Sequence, residues 1–179
     1  MKNILIISSS PRKKGNSQLL CEQFKKGAEE KGHQVKIVRI MEQNIGFCRA
    51  CDGCMRNGGT CVLQDDMAEI LKMFQKADVL VLATPVYFYG ISAQLKAIVD
   101  RLHTPMRNEF QIKKLALLLV GAASLPNLFD AIKLQYQLVL EFFHLEDAGM
   151  ILVRGVKDKG DIKGNEALRE AYKLGLSIE

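Results

Sequence analysis

No apolar run in this 179-residue chain approaches the ~20 residues that a bilayer-spanning helix needs. The first apolar run, Ile4 to Ile7, is short, and the basic residues Arg12, Lys13 and Lys14 come after it. A secretory leader has the opposite order and a longer core, so none is expected. A cytoplasmic location away from membranes is the expectation. No internal repeat, low-complexity tract or linker interrupts the chain. A basic stripe with interleaved aromatics is also missing, because the formal charge of +5 is spread over scattered lysines and arginines. Nucleic acid is therefore not an expected partner, and a mildly basic surface suits anionic small molecules instead. Neither G-x-x-x-x-G-K-[ST] nor G-x-G-x-x-G occurs, which argues against P-loop triphosphate chemistry and the dinucleotide fingerprint.

What the chain does have is cysteine in one place. Four of its five cysteines fall in CRACDGCMRNGGTC, residues 48–61. In a reducing compartment such a run points to metal or redox chemistry rather than to a disulfide framework. Structural zinc usually takes two separated cysteine pairs, or a cysteine pair and a histidine pair. The spacing Cys48-x2-Cys51-x2-Cys54, followed by Cys61, suits a compact run wrapping an iron–sulfur cluster. Free or oxidisable thiols, and zinc, remain open as alternatives. Cys21 lies off the run and reads as a small hydrophobe. His33, His103 and His144 share no spacing that suggests a metal site or a triad.

Apolar residues make up 48% and charged residues 25%, as in an ordinary globular protein. The length fits one domain over 1–179, with a cysteine-rich loop at 46–64. Strands are expected at 4–7, 35–40, 79–83, 115–120 and 150–153. Helices are expected at 16–31, from 65, around 91–102, at 125–143 and at 165–176. Strands alternating with helices imply βαβ units: an α/β three-layer sandwich with a five-stranded parallel sheet and helices on both faces. Ligands of such folds bind outside the carboxyl ends of the strands. That singles out loops 8–16, 84–90 and 121–126.

The first of these, SSSPRKKGNS, runs from a strand straight into a helix. Free N–H groups at a helix start bind phosphate. Ser8, Ser9, Ser10, Asn16 and Ser17 can add hydrogen bonds, Arg12 a charge-assisted one, and Gly15 permits close backbone approach. The plainer alternative is a polar turn with Asn16 or Ser17 as helix cap. Tyr87, Phe88 and Tyr89 form either a wall for a flat ring or an apolar loop packed on the sheet. Asp100 and Arg101 read as a local charge pair, and Asp65 and Asp66 as first-turn helix charges.

These segments carry a resemblance. SSSPRKKGNS resembles the phosphate loop of the NADPH-dependent FMN reductase family, in the flavodoxin-like superfamily. CRACDGCMRNGGTC, followed by Asp65-Asp66-Met67, resembles the cysteine run of its iron–sulfur flavoproteins. ATPVYFYGISAQLKAIVDR, residues 83–101, resembles a third family segment. The resemblance implies a flavodoxin-like fold with FMN at the sheet's carboxyl edge. Its phosphate would touch Ser10, Arg12, Asn16, Ser17 and Gln18, and its ring would lie along Pro85, Val86, Tyr87 and Phe88. It implies a [4Fe–4S] cluster on Cys48, Cys51, Cys54 and Cys61. Ser9 stands where the family usually has Gly, and 121–130 lacks the family's glycines, so no residue there is carried over.

The implied function is an FMN-dependent oxidoreductase reduced by NAD(P)H. The alternative is an electron carrier fed by a ferredoxin-like partner, and either form would deliver electrons to a small-molecule or protein acceptor. A third reading is a flavodoxin-like interaction module that has lost FMN. No side chain stands out as an acid or base; the cofactor would carry the chemistry. The helix expected at 125–143 is apolar nearly all round, which implies self-association. The resemblance points the same way, to a homodimer or homotetramer.

Overall fold

The computed structural model describes residues 1–179. Five strands form one parallel sheet: β1 (Asn3–Ser8), β2 (Gln34–Arg39), β3 (Val79–Pro85), β4 (Lys114–Val120) and β5 (Glu146–Val153). Their spatial order is β2-β1-β3-β4-β5. The chain steps outward from β1 to β2 and then back to β3, so strand order reverses between β1 and β3. This is the flavodoxin-like order, and its ligand crevice lies at that reversal, above the carboxyl ends of β1 and β3.

Alternation along the strands fills two cores. Leu5, Ile7, Leu80, Leu115 and Leu117 face α3 (Met67–Lys76), α4 (Ala93–Asp100) and α5 (Asp130–Phe143). Ile4, Ile6, Val79, Val81 and Leu118 face α1 (Asn16–Glu30) and α6 (Ala167–Leu176). The central strands are buried on both faces, which is why they read as unbroken apolar runs. On the second face α1 and α6 cross backbone against backbone. A Cβ on Gly27 would lie 2.0 Å from the Tyr172 carbonyl oxygen, and one on Gly175 would lie 2.1 Å from that of Phe24.

The structure moves several expected boundaries. The helix expected from residue 125 begins at Asp130. Pro126 biases Leu125 away from helical backbone, and 125–129 close as turns instead. The last strand starts at Glu146 rather than Met150. Its first residues are polar and sit beside a register shift at Leu115/Ala116, so no apolar pattern marks them. The last helix starts at Ala167, two residues later than expected. Asp65 and Asp66 precede α3 rather than filling its first turn. Asp100 pairs with Lys96, not with Arg101. The arginine reaches across to Asp65 instead.

Candidate active site at the carboxyl edge of the sheet

The loop from β1 to α1 is built of small buried polar residues. Ser8, Ser9, Ser10, Asn16 and Ser17 are all buried. The Ser9 hydroxyl and its N–H both donate to the Ala83 carbonyl, so this side chain is turned onto β3 and away from the loop's hollow. Ser10 Oγ accepts from the Arg12 N–H, and the Gly15 N–H donates to the Arg12 carbonyl. A Cβ at Gly15 would meet that carbonyl at 3.0 Å and Ser10 Oγ at 3.3 Å.

The expected phosphate residues divide in two. Ser17 has no partner for its buried hydroxyl. The N–H groups of Asn16, Ser17 and Gln18 lie in the unpaired first turn of α1, with no acceptor within the chain. A buried hydroxyl without a partner costs free energy unless a ligand satisfies it. The hydroxyl and the first-turn amides together match the acceptor oxygens of a phosphate monoester. The residues present therefore fit the phosphate end of FMN.

Arg12, Asn16 and Gln18 are committed elsewhere. Arg12 donates to the Lys157 carbonyl. Asn16 Nδ2 donates to the Asp158 carbonyl at 2.9 Å, and its Oδ1 accepts from the N–H groups of Gly160 and Ile162. Gln18 Oε1 accepts from the Lys14 N–H and from Arg39, while Nε2 donates to Glu22. The loop at 157–162 thus lies against the β1–α1 loop. No local pattern signals this packing, because it joins residues some 145 positions apart.

Beside this hollow lies the end of β3. Pro85 and Val86 are half-buried, and the Val86 N–H donates to the Val120 carbonyl. Tyr87 and Gly90 exchange both backbone hydrogen bonds, closing a tight turn over Phe88 and Tyr89. Both residues have left-handed φ values, +50° and +63°. This is the pattern of a type I′ turn, which normally takes Asn or Gly, so two aromatic residues there hold strain. Phe88 is fully exposed, at 102% of its reference surface, and Tyr87 is exposed too. The aromatic residues are not packed down on the sheet, and their rings are available to a ligand.

The cysteine loop docks at the C-terminal end of α4. Asp65 Oδ2 accepts from the Gly46 N–H at 2.7 Å and from Arg101 Nη1 at 2.5 Å. Arg101 Nη1 also donates to the Gly46 carbonyl, tying together the two ends of residues 46–65. Thr104 Oγ1 donates to the Gly59 carbonyl at 3.0 Å. Burial alone would raise the Asp65 carboxyl, but the Arg101 guanidinium and the Gly46 and Met67 amides outweigh it and hold it below the usual carboxylate range. Cys48 and Cys51 are exposed, Cys54 and Cys61 half-buried, and all four are free thiols. No three His, Cys, Asp or Glu side chains gather as a metal-binding group. As folded, the loop does not fit a four-thiolate cluster. Cys21 is a buried residue of α1 itself, where burial pushes its thiol up to about 12, so it is an inert packing residue.

A flavodoxin-like sandwich with free helix-start amides and a partnerless buried hydroxyl beside its strand reversal defines the class. Residues 2–156 match the family model for NADPH-dependent FMN reductase, and the chain belongs to that family. It is 37% identical over 110 residues to an iron–sulfur flavoprotein of Methanocaldococcus jannaschii, covering 62% of this chain and 56% of that one. It is 38% identical over 117 residues to an iron–sulfur flavoprotein of Methanosarcina thermophila, covering 65% and 59%. The chain thus spans little more than half the length of these curated relatives. The fold is shared with the NAD(P)H:quinone oxidoreductase of Methanothermobacter marburgensis, with a TM-score of 0.77 and 19% identity over 98% of this chain and 96% of that one. It is also shared with an FMN-dependent NADH-azoreductase of Bacillus anthracis solved with FMN, with a TM-score of 0.68 and 15% identity over 97% and 96%. No helix is long and apolar enough to cross a membrane.

Proposed function

We propose that the chain is an FMN-dependent oxidoreductase that draws reducing equivalents from NAD(P)H and delivers them to a small-molecule or protein acceptor. The observation that carries this reading is the partnerless Ser17 hydroxyl at the head of α1, inside a loop whose first-turn amides are also free. When bound, FMN supplies hydride acceptance and onward electron release. The chain's own residues bind and orient. Ser17 and the amides of Asn16, Ser17 and Gln18 hold the phosphate, and Ser10 shapes the hollow beneath Gly15. Asn16 and Arg12 act through the 157–162 loop, keeping it against the phosphate loop. Pro85 and Val86 wall the ring, and the turn carrying Tyr87 and Phe88 presents aromatic surface beside it. Anaerobic mixing of the FMN-loaded protein with NADH or NADPH tests the reading. Prompt loss of the yellow absorbance is expected, and absorbance unchanged with both nucleotides would contradict it.

The second reading is an electron carrier reduced by a ferredoxin-like protein, with a [4Fe–4S] cluster on Cys48, Cys51, Cys54 and Cys61. Its support is the C-x2-C-x2-C run followed by Cys61, together with the name iron–sulfur flavoprotein borne by the relatives. It requires the loop to draw its four sulfurs together, which the present fold does not do. Bleaching that appears only with a reduced ferredoxin-type donor favours this reading over the first. Self-association as a homodimer or homotetramer belongs to either reading. Leu134, Leu138 and Phe142 form an exposed apolar stripe on α5, and α6 lies against α1 rather than over it.

A further inference from the structure

On the sheet face away from α1 and α6, the space between α4 and α5 is not filled. A cleft of about 270 Å³ runs between the two helices and strands β3 and β4. Leu80, Leu115 and Leu117 form its floor, and Ile98, Ile132 and Val139 its walls. No residue of loops 8–17 or 84–90 lines it, so it is separate from the proposed flavin site. Cavities lined in this way stay dry and take apolar ligands. Its size lies just below the ~300–1,000 Å³ usual for small-molecule pockets, which suits a single medium-length acyl chain.

The polar groups of the lining give the ligand a head. They are His103, Arg107, Gln135 and Tyr136, and no Asp or Glu is among the lining residues. The Tyr136 hydroxyl is already committed to the Leu115 carbonyl and to Asp147 Oδ1. Arg107 has no carboxylate partner. Its guanidinium rests over the Phe142 ring at 5.6 Å, its Nη1 lies 3.3 Å from His103 Nδ1, and it takes part in none of the ion pairs. A cation without a counter-anion, beside a histidine and an apolar cavity, is complementary to a carboxylate with a hydrocarbon tail. A second copy of the chain fits less well. Of the three residues in the exposed α5 stripe, only Phe142 lines the cleft and Leu134 and Leu138 do not, so a copy seated on the stripe would leave most of it open.

From this we infer that the α4–α5 cleft is a binding site for a free medium-chain fatty carboxylate, with its chain on Leu115 and Leu117 and its head on Arg107. Titration calorimetry of the full chain with decanoate, below its aggregation concentration, tests this. Decanoate is expected to bind once per chain, and decanol about tenfold or more weakly, because it cannot make the charge-assisted hydrogen bond. Arg107→Gln should bring the acid down to the alcohol. Val139→Phe, at a half-buried wall position, should block both ligands while circular dichroism reports an unchanged fold. Excess FMN should displace neither. Absence of saturable decanoate binding, equal affinity for acid and alcohol, or displacement by FMN would each overturn the assignment. So would loss of binding at protein concentrations where light scattering shows self-association, which would assign the cleft to a second copy.

Discussion

The Asp65 carboxylate and the Arg101 guanidinium meet at 2.5 Å with side chains only 7% and 3% exposed. The pair closes the base of the cysteine loop, since both groups also hold Gly46. Removing one partner of a buried pair strands the other, at a cost of about 3–5 kcal/mol. Arg101→Met should therefore lower the urea midpoint sharply and make residues 46–65 more susceptible to proteolysis. A midpoint unchanged from the parent would show that the pair holds nothing.

The same carboxylate sets a pH dependence. Its folded pKa lies below its unfolded one, which is near ~3.9. The stability it contributes is thus fully present above the unfolded value and is lost as pH falls through the lower folded value. Between neutral pH and the acid range, Asp65→Asn should show a shallower loss of stability than the parent. Parallel curves for the two proteins would contradict this.

Much of this architecture could be read from the sequence, and what could not has a physical reason. The buried strands β1, β3 and β4 are unbroken apolar runs, and helices on both faces of one open parallel sheet require a reversal of strand order somewhere, which the structure places between β1 and β3. The turn from β1 into α1 was legible because serines and a glycine follow the first strand. The roles of Arg12, Asn16 and Gln18 were not, because their partners at 157–162 and at Arg39 are set by tertiary packing. The Asp65–Arg101 pair was missed for the same reason: Asp100 is adjacent in sequence, but Asp65 is adjacent in space. The tight turn at Phe88 and Tyr89 could not be anticipated, since aromatic residues seldom take left-handed backbone.

Asn16 is the clearest case for a new expectation. Asn16→Ala removes three hydrogen bonds to residues 158–162. Net losses of about 1–3 kcal/mol should follow, with Tm falling by ~2–4 °C for each of them. Its backbone amide survives the change, so FMN affinity should fall less than with loss of the Ser17 hydroxyl. A Tm equal to that of the parent would show that the 157–162 loop is not anchored here.

The α1–α6 crossing depends on having no side chain at Gly175. Its Cβ would lie 2.1 Å from the Phe24 carbonyl oxygen and 2.8 Å from the Ala28 nitrogen, both backbone atoms that cannot rotate away. Gly175→Ala should force the helices apart and cost about 3 kcal/mol or more, beyond ordinary overpacking. Chemical denaturation of the variant measures this, and a loss under about 1 kcal/mol would contradict the close approach.

The central claim is that the head of α1 holds the phosphate of FMN. Fluorescence-quenching titration of FMN into the flavin-free protein, with parent and Ser17→Ala side by side, tests it most directly. A hydrogen bond to a charged phosphate is worth about 1.5–3 kcal/mol, so the variant should bind FMN roughly ten- to a hundredfold more weakly while riboflavin, which lacks the phosphate, binds both proteins alike. Equal FMN affinity in the two proteins, or no saturable FMN binding by the parent, would contradict it.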